Sequence, residues 1–361
     1  MRILFVRLSS FGDVVFALPA AKALRANLAG ANLTWAIEPP LAPLVAGAAF
    51  VDDVLPVDTR GWRRAWRAAK TREEIRDFLR RVRGHSHRLG ALGDARGEGA
   101  DRQKPFDLVV DAQGLFKSTL VTFAAPAGRK VGFGWRTATE RLNCLFTREH
   151  VDVDRARHPH VADQMLALAE HVTGKTGFDR RPDVRHLVER EDPVVDAWLE
   201  QQASRPFAVL QPFSSKGNKE WAAADVVAFC ERLATDGIQP VLRWGPGEES
   251  RAQSLLTLSK KFPSSSSSSL RLLLAPPTSP ASTARLASRA ALFVGADTGP
   301  THLAAAAGIP TLVLFGPTPA ERFGPIGPRT AAVRENPADY NRSGPRWPAD
   351  DVHEAVRRLL A

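Results

Sequence analysis

Cysteine is scarce. Cys144 and Cys230 are the only two in 361 residues and they fall in different halves, so a disulfide scaffold is excluded and a reducing compartment is expected. Long apolar runs are missing as well. No stretch of about 18 uninterrupted apolar residues occurs, which argues against a membrane-spanning helix. The opening segment does not complete a secretory signal, because Arg7, Gly12 and Asp13 interrupt the apolar run that follows Arg2.

Several chemical signatures are also lacking. The first strand-to-helix turn, Ser9 to Asp13, offers a single glycine where a dinucleotide fingerprint needs three. No Gly-x-Ser-x-Gly elbow appears, which argues against a serine hydrolase of the α/β type. Gly174-Lys175-Thr176 resembles the end of a phosphate-binding loop, but Ala169 stands where the upstream glycine is required and a helix precedes it. The pairs His85/His87 and His158/His160 are too closely set for a metal site and read as surface histidines.

What is present describes a folded chain. Hydrophobic residues make up 44% and charged residues 24%, ordinary values for a globular protein. At about 150 residues per domain the length suggests two domains. The net charge of +10 is concentrated: between Arg60 and Lys104 there are 14 Lys/Arg against six Asp/Glu. Such a face attracts a polyanion, which could be nucleic acid, an anionic membrane surface or a phosphorylated lipid; the alternative is a solvated Arg-rich helix.

Periodicity points to an α/β chain. Ile3 to Leu8 reads as a strand buried on both faces, Val14 to Ala26 as a helix with Pro19 a kink, and Leu33 to Ile37 as the next strand, together a βαβ unit. Further strands are expected at 51–55, 107–111 and 130–132, and a helix from His160 to Thr173. Gly84 to Lys104 has few apolar residues and no period, so it reads as a loop insertion, and Gly177 to Asp192 reads as a linker. The second half repeats the grammar, with five apolar runs at 207–210, 241–244, 270–274, 291–294 and 311–315. Ser264 to Ser269 is a run of six serines that reads as a loop. The expected architecture is two doubly wound domains, with ligands at the carboxyl ends of the strands.

Three constellations sit at those ends. In Ser9-Ser10-Phe11-Gly12-Asp13 the glycine permits a tight turn, and Asp13 lands on the first turn of a helix. It is either a general base for an attacking hydroxyl or a residue stabilised by the helix dipole. In Asp297-Thr298-Gly299-Pro300-Thr301-His302 a hydroxyl, two amides and a helix N-terminus suit a diphosphate, or make an ordinary strand-to-helix turn. In Gln211 to Trp221, Ser214, Ser215, Lys216 and Lys219 could hold phosphate oxygens and offset charge on a leaving group. Glu248, after the next strand, is placed to hydrogen-bond a ribose diol.

Taken together these blocks resemble the lipopolysaccharide heptosyltransferases of glycosyltransferase family 9, and within them most resemble heptosyltransferase I. The resemblance rests on RILFVRLSSFGDVVFALPA at the N-terminus, RGWRRAW at 60–66, DAQGLFKS at 111–118, SSKGNKEW at 214–221, WGPGEESRA at 244–252 and ADTGPTHLAAAAGIPTLVLFGPT at 296–318. It covers nearly the whole chain, and the order and spacing of the blocks make it specific.

The resemblance implies a GT-B architecture, with two Rossmann-like domains facing a central cleft. Residues 1–180 would bind the acceptor, residues 190–340 would bind the nucleotide sugar, and a helix at 350–361 would pack back on the N-terminal domain. It implies inverting, metal-independent transfer of L-glycero-D-manno-heptose from ADP-heptose to the Kdo of Kdo2-lipid A. Asp13 would be the base. Lys219, with Ser214 and Ser215, would hold the diphosphate, Glu248 the ribose and Asp297 the heptose, while Thr298, Gly299 and His302 would complete the phosphate pocket. Ser10, Gly12, Arg60, Arg63, Arg64, Gln113 and Lys117 would meet the anionic acceptor. Arg141 joins them, because the family's Ala-Arg-Glu after Trp135 is here replaced by Ala138-Thr139-Glu140-Arg141.

The expected location is the cytoplasmic face of the inner membrane, held there by Arg-rich charge and not by insertion. The rivals are a family 9 transferase that adds a later heptose, and a basic nucleic-acid-binding protein. The latter is disfavoured because the charge is not interleaved with aromatics in a reading motif.

Overall fold

The computed structural model describes residues 1–83, 106–202, 205–214, 217–261, 271–335 and 347–361. The insertion at 84–104, the serine run and Ser215 lie outside the described residues. The chain divides into two compact units, one of Met1–Ser10 with Phe16–Arg180 and the other of Phe11–Val15 with Arg181–Ala361.

The first unit is built on six parallel strands: β1 (Arg2–Val6), β2 (Asn32–Ile37), β3 (Asp53–Pro56), β4 (Phe106–Asp111), β5 (Ala127–Phe133) and β6 (Glu149–Val151), in the order β3-β2-β1-β4-β5-β6. Its helices are α1 (Phe11–Asn27), α2 (Thr59–Ala65), α3 (Ala69–Val82), α4 (Phe116–Ala124) and α5 (Val161–Thr173). The central strand β1 shows only Arg2 to solvent, and Ile3, Leu4, Phe5 and Val6 are fully buried. That two-sided burial is why the run is uninterrupted in the sequence. α1 continues through Pro19. α5 stops at Gly174, whose φ of 68° is the left-handed conformation that glycine adopts without a steric cost.

The second unit has the strands β7 (Phe207–Gln211), β8 (Gln239–Leu242), β9 (Leu273–Leu274), β10 (Leu292–Ala296), β11 (Thr311–Phe315) and β12 (Thr330–Arg334). They are all parallel, in the order β12-β11-β10-β7-β8-β9. The helices are α6 (Arg185–Val188), α7 (Pro193–Gln202), α8 (Ala223–Thr235), α9 (Glu249–Lys261), α10 (Pro280–Ser288), α11 (Gly299–Ala306), α12 (Ala320–Phe323) and α13 (Ala349–Leu360). α6 lies within the segment expected to be a linker.

Two features depart from the sequence expectation. Each sheet has one more strand than the apolar runs suggest, β6 and β12. Both lie at a sheet edge, and neither buries a single residue fully, so neither carries an apolar run. The terminal helix α13 was expected on the N-terminal domain and packs instead within the second unit. Its Ala349, Val352 and Val356 join the core formed with α8 and β11, and Trp221 donates its indole N–H to Trp347 O at 2.9 Å. An amphipathic helix goes to the nearest uncovered apolar surface, here the outer face of β11 and β12.

Phe229 is fully buried in that core, with its ring 5.2 Å from Trp221 and 6.5 Å from His353. Phe229→Ala should destabilise the second unit by about 3–5 kcal/mol, read as a lower urea midpoint for that unit.

Candidate active site

The charged residues of both units gather just beyond the strand ends. In the second unit the centre is Asp297, one residue past β10 and 8% exposed. Lys219, from a 3-10 turn at Gly217–Lys219, places Nζ 2.5 Å from Asp297 Oδ2. His302, on the first turn of α11, places Nε2 2.9 Å from Oδ1. Burial alone would raise the carboxyl's pKa, but the hydrogen bond and charge of His302, followed by those of Lys219, bring it down to about 2. Three residues expected at the donor site are therefore one ionic cluster at a helix N-terminus.

The turn around it is held by hydroxyls. Thr301 Oγ1 donates to Ala296 O at 2.7 Å and lies 3.3 Å from Thr298 Oγ1, while Thr298 caps α11 in an extended conformation. Pro300 lies in the first turn, where its missing N–H costs nothing. The half-buried Thr298 and Gly299 lie beside a helix terminus of positive potential, which is suited to an anion.

Ser214 is buried at the end of β7, and its backbone N–H donates to Glu220 Oε1 at 3.2 Å. Glu248 folds back on its own turn, accepting from Gly245 N at 2.7 Å and pairing with Arg251 at 3.6 Å. Behind them stands a residue the sequence reading overlooked. Arg243, one position past β8 and 5% exposed, donates to Gln211 Oε1 at 2.8 Å and to Thr278 Oγ1 at 2.9 Å. Burial lowers its pKa to about 10, with the charge of Glu248 opposing. The signal for it was positional: it is charged and directly follows a strand, as Asp297 does.

In the first unit the turn after β1 is fixed from β4. Gln113 Oε1 accepts from Leu8 N at 2.8 Å and from Ser9 N at 3.1 Å, so this expected acceptor ligand uses its carbonyl to hold the turn that leads to Asp13. Asp111, with no exposure, accepts from Gln113 N, Gly114 N, Thr122 Oγ1 and Asn143 Nδ2 at 2.8–3.0 Å. Gly114 takes a φ of 65°, which lets the chain double back toward Asp111. Lys117 Nζ bonds Ser9 Oγ and Glu38 Oε1, the latter at 3.1 Å.

Glu38 is a second residue that the sequence reading missed. It is 6% exposed, directly follows β2, and faces Lys117, Thr59 Oγ1 at 3.3 Å and Arg60 Nε at 3.4 Å. Arg60, Arg63 and Arg64 are exposed on α2, and Arg141 is exposed at the start of a 3-10 turn. Ser10 is exposed before α1. Gly12 and Asp13 are half-buried in its first turn, within the stretch Phe11–Val15 that groups with the second unit. Among the described residues no three His, Cys, Asp or Glu side chains cluster as a metal ion requires.

The Asp297 cluster sets a pH dependence. Its folded carboxyl titrates near 2, against 3.8 ordinarily, so its stabilisation is complete above about pH 5 and is lost as pH falls through about 2. In urea unfolding, Asp297→Asn should be less stable than the parent by about 2 kcal/mol at about pH 7, with the gap closing by about pH 2.

Comparison with known proteins agrees with this geometry. The model of glycosyltransferase family 9 (heptosyltransferase) matches residues 101–344. Lipopolysaccharide heptosyltransferase 1 of Salmonella typhimurium is 30% identical over 334 residues, covering 91% of this chain and 92% of its own. The solved structure of Escherichia coli heptosyltransferase WaaC with ADP is similar at a TM-score of 0.79 and 26% identity, covering 99% of this chain and 100% of that one. WaaC with ADP-2-deoxy-2-fluoro heptose gives a TM-score of 0.76 at 26% identity, with 99% of each chain covered. The two six-stranded parallel sheets are those of a GT-B glycosyltransferase, and the chain belongs to glycosyltransferase family 9, the heptosyltransferases.

Proposed function

We propose that this chain transfers L-glycero-D-manno-heptose from ADP-heptose to the Kdo of Kdo2-lipid A, with inversion at the anomeric carbon. The observation that carries this reading is the Asp297–Lys219–His302 cluster at the opening of α11, in a chain similar to a heptosyltransferase solved with ADP.

In this reading Lys219, with Ser214 and Ser215, meets the donor diphosphate, and Thr298, Gly299 and His302 complete the pocket at the helix terminus. Glu248 takes the ribose and Asp297 the heptose hydroxyls. Arg60, Arg63, Arg64 and Arg141 attract the anionic acceptor, with Ser10, Gly12 and Lys117 beside its reacting sugar. Gln113 acts by holding the turn.

The chemistry is an in-line displacement. The acceptor oxygen forms its bond to the heptose anomeric carbon as the bond to the β-phosphate oxygen breaks, and the electron pair leaves with ADP. Asp13 takes the hydroxyl proton. The charge growing on ADP is met by Lys219 and by the α11 terminus, both in place before the reaction, so little reorganisation is required. The enzyme works at the cytoplasmic face of the inner membrane, drawn there by the Arg-rich segment. A transferase for a later heptose would share the donor site, so acceptors of increasing core length separate the two assignments.

Asp13→Asn keeps the size of the side chain and removes the base. It should lower kcat for ADP release by about 10²–10⁴-fold and leave ADP-heptose affinity unchanged. Normal turnover by this variant would refute the assigned role.

A further inference from the structure

Helix α4 is apolar on its solvent side as well as on its core side. Its largest apolar residues face solvent, with Phe116 60% exposed, Leu120 51% and Phe123 67%, spaced as i, i+4 and i+7 along one side. The opposite side buries Val121 and Ala124 in the core of the first sheet, and Ser118, Thr119 and Thr122 toward Asp111 and Asn143. A helix that needed only to cover its own sheet would not also carry three large apolar residues on its solvent side. The neighbouring 3-10 turn Arg141–Phe146 packs on α4, through Asn143 and a Phe123–Phe146 ring contact at 5.7 Å. It adds Leu142 at 61% exposure and Leu145 at 63%.

These side chains border a cavity. Between α2, α3 and α4 lies a pocket of about 670 Å³, walled by Trp62, Phe78, Leu79, Leu120 and Phe123. That volume is in the range of small-molecule sites. Arg60, Arg63, Arg83 and Lys117 also line it, with Glu38 pairing Arg60 and Lys117, so apolar walls meet a net positive rim. The surrounding charge is mostly positive, with ten Lys/Arg against three Asp/Glu between Arg60 and Arg83.

A nucleic acid or a free phosphate would use the cations and leave the apolar walls in water. An anionic phospholipid uses both, its headgroup meeting the cations and its chain the walls. We infer that this face docks on an anionic phospholipid bilayer, with Phe116, Leu120 and Phe123 entering the interface and one lipid acyl chain seated between α2, α3 and α4. This deepens the membrane-surface reading above: charge brings the protein to the bilayer, and apolar burial holds it there.

Trp62 lies in the pocket wall and serves as the probe. Vesicles of phosphatidylcholine with phosphatidylglycerol, carrying brominated acyl chains, should quench its fluorescence. The quenching should disappear in Trp62→Phe and persist in Trp66→Phe. The double variant Leu120→Ser with Phe123→Ser should bind these vesicles about tenfold or more weakly, since two apolar side chains no longer leave water. It should release ADP from ADP-heptose and an acyl-free acceptor at the parent rate without vesicles.

Vesicle binding that is abolished by salt, with Trp62 unquenched, would overturn the acyl-chain pocket. So would undiminished binding by the double variant, or self-association of the parent that the double variant abolishes. Failure of the parent to turn over ADP-heptose would count against the transfer reading alone, because quenching is measured without substrate.

Discussion

A carboxylate with 8% of its surface in water stays ionised only if close partners answer it, and Asp297 has the Lys219 ammonium and the His302 ring. Lys219 arrives from the loop after β7 and His302 from the helix after β10. The two strands are neighbours in the sheet, so the backbone register brings the partners together. Replacing Asp297 removes the shared partner of both Lys219 and His302. The cluster and the helix terminus beside it therefore form one unit, which in the proposed reaction holds a lysine still where negative charge would develop. The arrangement needs no motion to become effective, which is what electrostatic preorganisation means.

The first unit uses a wider hydrogen-bond network for a comparable end. Asp111 at the close of β4 gathers four donors, Gln113 holds two backbone N–H groups of the turn after β1, and Lys117 bridges Ser9 to Glu38. The turn that carries Asp13 is thus fixed from behind by an adjacent strand. Glu38 does the same for α2, where its carboxylate meets Thr59 and Arg60 and sets the start of the basic helix. Glu38, Asp111, Gln113, Arg243 and Asp297 all lie within two positions of a strand's carboxyl end, where side chains leave the pleat and converge.

That geometry explains how much was legible in the sequence. Central strands announced themselves because burial on both faces requires unbroken apolar runs, as in Ile3 to Val6 and Thr311 to Phe315. Edge strands β6 and β12 carry no such run and were missed. Asp13, Lys219 and Asp297 stood out as charges in glycine-bearing turns between a strand and a helix. Glu38 follows its strand without a glycine motif, and Arg243 falls inside the run expected as a strand at 241–244, so their burial is what separates them from surface charge. α13 shows its amphipathic period in the sequence, but its choice of surface depends on which sheet face is left uncovered. α4 is apolar on two sides, with Val121 and Ala124 in the core and Phe116, Leu120 and Phe123 exposed, so its pattern does not say which side the sheet takes.

The central claim is that Lys219, fixed by Asp297, is the donor's diphosphate anchor. Calorimetric titration of ADP-heptose into the parent and into Lys219→Gln, which keeps a hydrogen-bond donor toward Asp297, tests it most directly. The account predicts tight binding by the parent, at least about tenfold weaker binding by the variant, and little heat with UDP-glucose for either protein. Equal affinity of the two proteins for ADP-heptose would contradict it.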